Sequence, residues 1–389
     1  MSARIAKVLA FTSMAISSAH SQERTGPVTA SPLLAIDSMI AATFAKDSLG
    51  GVSVAVLQNG KMSWTKSYGY ADRERGIRAS DSTVYRIASV TKQFTGLMLL
   101  QLAERRTVRL SDPVSRFLPE IKRIKHLAPE GSPVTLVQLA TMTSGLAGEP
   151  REPGRYNVGP PAVWQQQLLA SLAETPMLWE PGSRANYSNS SYAILAAALS
   201  RAARAPYVSY IETSFLRPLG LHETTFAPTG ALSARLAKGY HRNSDGSLDT
   251  LTALRDHLGR GKNLPAGGLY STVRDLARFV AFQLGSGPES VLHRATLDSA
   301  LAGLVAADAD LNYGDGVFFS AMRQFPSSFV ALGHRGVLTG YQASVAFRPQ
   351  SRAGVVILAN ATDETGEFRY QVLAEQILEF IVTGRRPSP

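Results

Sequence analysis

The sequence predicts a mixed α/β (α+β) fold, with an antiparallel sheet built from both chain ends, flanked by helices, and a mainly helical domain inserted between them. Three observations predict it. Near the amino end, Asn59-Gly60 separates two strand-like runs, the strongest short-range hairpin signal. From about residue 80 to 265 the apolar spacing is mainly helical. Strand-like runs return in the last third, so the two ends can share one sheet.

In order, residues 32–46 carry Leu33, Leu34, Ile36, Met39, Ile40 and Phe44 at helical spacing, and 51–57 with 61–70 make the hairpin. Helices are expected at 89–105, 135–143, 162–172, 190–203 and 207–215, joined by loops rich in Pro and Gly. A further helix is expected at 272–284, after Pro265-Ala266-Gly267-Gly268. Strands at 314–322, 328–333, 342–347 and 354–359 precede a closing amphipathic helix at 368–382. The expected division is a leader at 1–22, a sheet-containing domain from 23–79 and 265–389, and a mainly helical domain at 80–264. Catalysis belongs between the domains, where pockets are common.

The 389 residues, 44% hydrophobic and 18% charged, suit a globular chain with a large core. The absence of cysteine excludes disulfides, thiol catalysis and the commonest zinc frameworks. Arg4 and Lys7, the short apolar segment 8–16 and Ala19-His20-Ser21 read as a secretory signal, and the apolar segment is too short to span a bilayer. The expectation is therefore a secreted or periplasmic protein with no membrane span after signal removal. The formal charge of +10 falls to +8 without Arg4 and Lys7. Basic residues elsewhere alternate with acids, and the one compact basic run, Lys122-Arg123-Ile124-Lys125-His126, reads as a solvated loop, so no nucleic-acid partner is expected. No Gly-x-Ser-x-Gly elbow, His-Glu-x-x-His pair or Gly-x-x-x-x-Gly-Lys loop is present, and no metal or organic cofactor is implied.

Ser89 and Lys92 stand three residues apart at the opening of an apolar helix, which puts hydroxyl and amine one turn apart on one face. Unsatisfied amides at the helix start aim partial positive charge at Ser89. Burial of the helix would lower the lysine pKa toward neutrality, as a general base requires. A second Ser-x-x-Lys, at Ser63 and Lys66, lies in a strand, where residues three apart face opposite ways. Two further short motifs carry polar groups. Tyr187-Ser188-Asn189 sits on a tight loop at a helix start, where Asn189 could also serve only as an N-cap. His334-Arg335-Gly336 ends a strand.

Taken in order, Ser89-x-x-Lys92, Tyr187-x-Asn189 and His334-x-Gly336 resemble the signature elements of the penicillin-recognising serine hydrolases, in the branch of class C β-lactamases, D-alanyl-D-alanine carboxypeptidases, D-aminopeptidases and related esterases. The resemblance extends through 137–146 (VQLATMTSGL), 179–195, Pro218-Leu219-Gly220-Leu221, 265–276 and 334–360, and covers nearly all of the chain after the leader. It implies a β-lactamase/transpeptidase-like fold. It also implies that Ser89 forms an acyl-enzyme, with Lys92 and Tyr187 as a coupled base and acid. Asn189 would hold Lys92 and contact the acyl amide, Gly336 would admit the substrate backbone, and the amides of Ser89 and Val337 would form the oxyanion hole.

The third motif departs from the Lys-then-Ser/Thr pair of many β-lactamases. A neutral imidazole at His334 is a poorer carboxylate anchor, for which Arg335 would compensate if it points inward. The expected activity is that of a serine hydrolase on a small-molecule or short-peptide amide or ester, peptidase-like on D-amino-acid peptides. The alternatives are a carboxylesterase, a weak β-lactamase and a non-catalytic binding protein. A pH profile with a limb near neutrality from His334 is also expected.

Overall fold

The computed structural model describes residues 30–46, 48–125, 131–303, 320–323, 329–364 and 369–385. The expected leader and most of the 314–322 strand lie outside the described residues. So does His126, the last residue of the basic run.

Helix α1 (Ala30–Ala45) leads into strands β1 (Gly51–Gln58) and β2 (Lys61–Asp72), followed by the short β3 (Ile77–Arg78). The Asn59-Gly60 turn takes positive φ at both residues, as a two-residue hairpin loop demands. Helices α2 (Thr91–Glu104), α3 (Asn189–Ala203) and α4 (Val273–Ala281) lie in the middle of the chain. Strands β4 (Ser320–Arg323), β5 (Val330–Leu338), β6 (Tyr341–Arg348) and β7 (Ala353–Ala359) follow, then helix α5 (Arg369–Thr383). The seven strands form one sheet in the order β3-β2-β1-β7-β6-β5-β4, so the amino- and carboxy-terminal strands meet where β1 pairs antiparallel with β7.

Period-two alternation sends the two faces of this sheet into different cores. Val52, Val54, Val56, Val355 and Ile357 pack with Ile36 and Ile40 of α1 and Leu373, Ile377 and Leu378 of α5. Their neighbours Ala55, Leu57, Val356 and Leu358 face the opposite way, into the larger core containing α2 and α4. There Phe94 stacks on Phe279 with ring centroids 4.2 Å apart. Every residue of α2 from Thr91 to Leu102 is buried, so the helix is covered on all sides, its polar Lys92, Gln93, Thr95 and Gln101 included.

One strand boundary differs from expectation and matters for the site. The strand expected at 328–333, with His334-Arg335-Gly336 at its end, continues through Val337-Leu338, paired with β6 from Leu332 opposite Phe347 to Leu338 opposite Tyr341. The Thr339-Gly340 turn, with Gly340 at φ +80°, closes the hairpin. On its other side β5 pairs with β4 only over 330–333, and among the described residues no strand pairs with 334–338 there.

Candidate active site

Ser89 lies in a 3-10 turn, Ala88–Val90, that leads directly into α2, so the α-helix starts two residues after the serine. Several bonds pin this turn. Thr91 donates its hydroxyl to Ala88 O (2.7 Å) and accepts from Leu269 N (3.1 Å), while Ile87 N donates to Leu269 O (3.1 Å). Ala88 adopts φ +46°, a left-handed conformation that costs energy in any residue but glycine and persists because its surroundings fix it.

Around the Ser89 hydroxyl the structure gathers two of the expected partners. Tyr187 donates its phenol hydrogen to Ser89 Oγ (2.7 Å), and Lys92 Nζ lies 3.1 Å from the same oxygen. Lys92 Nζ also donates to Asn189 Oδ1 (2.7 Å) and to Ala266 O (2.9 Å), and sits 4.7 Å from the Tyr187 ring centroid. The amine is fully buried. Burial pushes its pKa well below the ordinary lysine value; Glu149 opposes that shift, and Arg260 and Lys262 add to it. Asn189 opens α3, but the cap is Ser188, whose Oγ accepts from Ser191 N (3.0 Å), so the Asn189 side chain remains available to the site.

His334 and Gly336 face the site from β5. The His334 ring lies 6.5 Å from that of Tyr187, centroid to centroid. Its Nδ1 hydrogen-bonds the Arg335 carbonyl, which leaves Nε2 as an acceptor in the neutral ring. Burial pulls its pKa down to about 3, with the nearby Lys92 charge adding to the effect. The expected pH limb near neutrality therefore does not come from His334. The ring is neutral throughout that range because the cation would be desolvated.

Gly336 is held tight against the turn that carries Ser89: a Cβ there would stand 2.3 Å from Ile87 O and 3.0 Å from Ser89 N. Its missing side chain admits the turn itself. Val337, the next residue, is 41% exposed at the open end of the strand. Arg335 does not join the cluster. Strand alternation turns it to the opposite face, where its guanidinium donates to Gln371 Oε1 of α5 (2.9 Å), so the condition under which it would anchor a carboxylate is not met. The second Ser-x-x-Lys is likewise divided, with Ser63 bonded to Val56 O and Lys66 paired to Asp37 on α1.

A second set of polar groups behind the site has no counterpart among the motifs. Glu149 accepts from Asn189 Nδ2 (2.8 Å) and Asn263 Nδ2 (2.8 Å), and pairs with the fully buried Lys262 (2.7 Å). Burial alone would raise the Glu149 pKa, but Lys262 and the two amides together hold it below the usual carboxylate value. The pair joins segments 113 residues apart, beyond the reach of local periodicity. No local pattern in the sequence marks either member.

A hydroxyl in the 3-10 turn that opens a buried helix, touching a desolvated amine and a phenol, defines a serine hydrolase of the Ser-x-x-Lys type. The chain belongs to the Beta-lactamase family, whose model matches residues 36–378. It is 27% identical over 332 residues to Protein flp of Staphylococcus aureus (strain COL), covering 85% of this chain and 63% of that protein's length. It is 29% identical over 352 residues to the D-alanyl-D-alanine-carboxypeptidase/endopeptidase AmpH of Escherichia coli (strain K12), covering 87% of this chain and 86% of AmpH. Two solved structures share the fold. The octameric penicillin-binding protein homologue from Pyrococcus abyssi has a TM-score of 0.72 at 24% identity, over 90% of this chain and 77% of that one. The D-amino acid amidase from Ochrobactrum anthropi SV3 has a TM-score of 0.74 at 21% identity, over 90% and 99%.

Proposed function

We propose that this protein is an exported hydrolase that forms an acyl-enzyme through Ser89 on the carbonyl of a D-amino-acid peptide or amide. The observation that carries the reading is the convergence of Lys92 Nζ and the Tyr187 phenol on one serine oxygen, at 3.1 and 2.7 Å. The charged head and apolar segment within residues 1–22 support export. Among the described residues no helix is long and apolar enough to cross a membrane. The names of AmpH and of the D-amino acid amidase support the substrate class.

In acylation Ser89 Oγ bonds to the carbonyl carbon and its proton passes to the Lys92 lone pair. The carbonyl oxygen takes the negative charge between the amides of Ser89 and Val337. Such donors contribute on the order of 3 kcal/mol each to lowering the barrier. As the carbon–leaving-group bond breaks, Tyr187 gives its proton to the leaving amine or alkoxide and is reprotonated from Lys92. Deacylation repeats these transfers with water in the leaving group's place. Lys92 and Tyr187 act as a coupled unit rather than as one base.

A carboxylesterase is the second reading, and one feature favours it. With His334 held neutral and Arg335 on the far face of the sheet, the third motif supplies no fixed cation for a substrate carboxylate. The same feature argues against efficient β-lactam hydrolysis. The test is to offer the purified protein a D-Ala-D-Ala peptide, a D-amino-acid amide, a chromogenic short-chain ester and a cephalosporin. Turnover of the D-peptide or D-amide with release of the amine supports the first reading; turnover of the ester alone replaces it with the second. A wild-type protein that turns over none of them, and that a serine-directed phosphonate does not label, would be a binding protein on this scaffold.

A further inference from the structure

Glu149 and Lys262 take no part in these steps, yet Glu149 bonds the same Asn189 amide that Lys92 does. A neutral lysine amine has two N–H donors and one lone pair. At Lys92 the backbone oxygen of Ala266 and the side-chain oxygen of Asn189, both pure acceptors, take the two hydrogens. The remaining direction, the lone pair, faces Ser89 Oγ at 3.1 Å. This arrangement holds only while Asn189 shows Lys92 its oxygen. Turned over, the amide would offer N–H groups to the lone pair and withdraw it from the serine.

Glu149 sets that orientation. An ionised carboxylate only accepts, so the Asn189 NH2 must face it (2.8 Å) and the amide oxygen must face away. Glu149 is held ionised by a shell of donors and not by Lys262 alone: the buried Lys262 ammonium meets Glu149 Oε2 (2.7 Å) and Asn263 Oδ1 (2.9 Å), with Ser190 Oγ at 3.4 Å, and the Asn189 and Asn263 amides stabilise the same carboxylate. Asn263 Nδ2 and Asn157 Nδ2 complete the carboxylate's shell. We propose that Glu149 and its buried counter-ion Lys262 form a positioning pair that holds the Asn189 amide in register and thereby keeps the Lys92 lone pair on Ser89. The proposal rests on Lys92 being the proton acceptor.

The two members of the pair also act on the Lys92 charge in opposite senses. The groups facing Lys92 are Glu149 from its loop, Arg260 and Lys262 from the 260–263 turn, the Tyr187 and Tyr192 rings from α3 and its approach, and His334 from β5. Glu149 favours the Lys92 cation, whereas Arg260 and Lys262 disfavour it. Removing the acid should therefore move the acidic limb of reactivity to lower pH, and removing Lys262 should move it to higher pH. A merely structural pair predicts no such divergence.

The test follows covalent labelling of Ser89 by a neutral alkylphosphonate fluoride from pH 5 to 9, read by intact mass, with a thermal melt of each variant. For Glu149→Gln we expect a plateau rate lower by about tenfold, because a glutamine amide no longer dictates which way Asn189 faces. Its limb moves acidward. Glu149→Asp restores much of the plateau, and Lys262→Met moves the limb alkaline, so that rates near pH 6 diverge between the two single variants by about tenfold or more. Should Lys262→Met fail to fold, Glu149→Gln/Lys262→Met removes both charges, and its limb should return toward the wild-type position while the plateau stays low. Folded variants whose limbs and plateaus match wild type, or whose limbs move together, overturn the proposal. A wild-type protein that takes up no label overturns the hydrolase reading instead.

Discussion

Replacing Gly336 by alanine tests whether the nucleophile turn and β5 form one rigid unit. The added Cβ would stand 2.3 Å from Ile87 O, 3.0 Å from Ala88 Cβ and 3.0 Å from Ser89 N. None of these is the end of a flexible side chain. Ile87 O accepts from Val90 N (3.1 Å) and Ile87 N donates to Leu269 O, so the turn is tied on both sides. Strand and turn must therefore part by about 0.7 Å to bring the closest contact to 3.0 Å. Overpacking of this kind costs about 1–3 kcal/mol of stability. A displacement approaching 1 Å at a reacting group costs on the order of 100-fold in rate. We expect Gly336→Ala to fold with a lowered melting temperature and to lose on the order of 100-fold in kcat/KM on whichever ester or D-amide the wild type turns over. A folded variant within about threefold of wild-type kcat/KM would refute the reasoning, since the oxyanion site would then not depend on this clearance.

Other outcomes follow from the same geometry. Tyr187→Phe removes the donor to Ser89 Oγ and should lower kcat by about 100-fold or more with an unchanged melt; steady-state kinetics that stay within tenfold would remove the phenol from proton transfer. Arg335→Ala should leave KM for a carboxylate-bearing substrate within about twofold, because its guanidinium serves Gln371 on α5; a large rise in KM would return Arg335 to the site. His334, at about 3 in the fold against 6.5 when free, contributes stability that is fully present above pH 6.5 and is lost as pH falls toward 3. The unfolded chain takes up the proton first, at a cost of up to about 1.4 kcal/mol per pH unit. Denaturant midpoints at pH 7 and pH 4 should therefore fall further for the wild type than for His334→Gln, and equal losses would contradict the neutral, buried ring.

The parts of the fold that local pattern controls could be read from the sequence. Asn59-Gly60 marks the hairpin, whose first strand the structure shows buried on both faces, and the three-residue spacing of Ser89 and Lys92 puts both on one side of a helical turn. What escaped depends on packing between distant segments. The run of β5 on through Val337 and Leu338 is dictated by its pairing with β6. That continuation in turn sends Arg335 to α5. Ser188 rather than Asn189 caps α3, which leaves the asparagine amide for Lys92. The Glu149–Lys262 pair could not be read at all, since a buried ion pair leaves no periodic trace and its members lie far apart in the chain.

The central claim is that the Ser89 hydroxyl is an activated nucleophile. Its most direct measurement is the intact mass, followed by peptide mapping, of protein exposed to a serine-directed phosphonate at neutral pH. One equivalent added to the peptide carrying Ser89, slowed in Lys92→Met and absent in Ser89→Ala, is the result expected. Label on another residue, or none on the wild type under conditions that modify a known serine hydrolase, would contradict it.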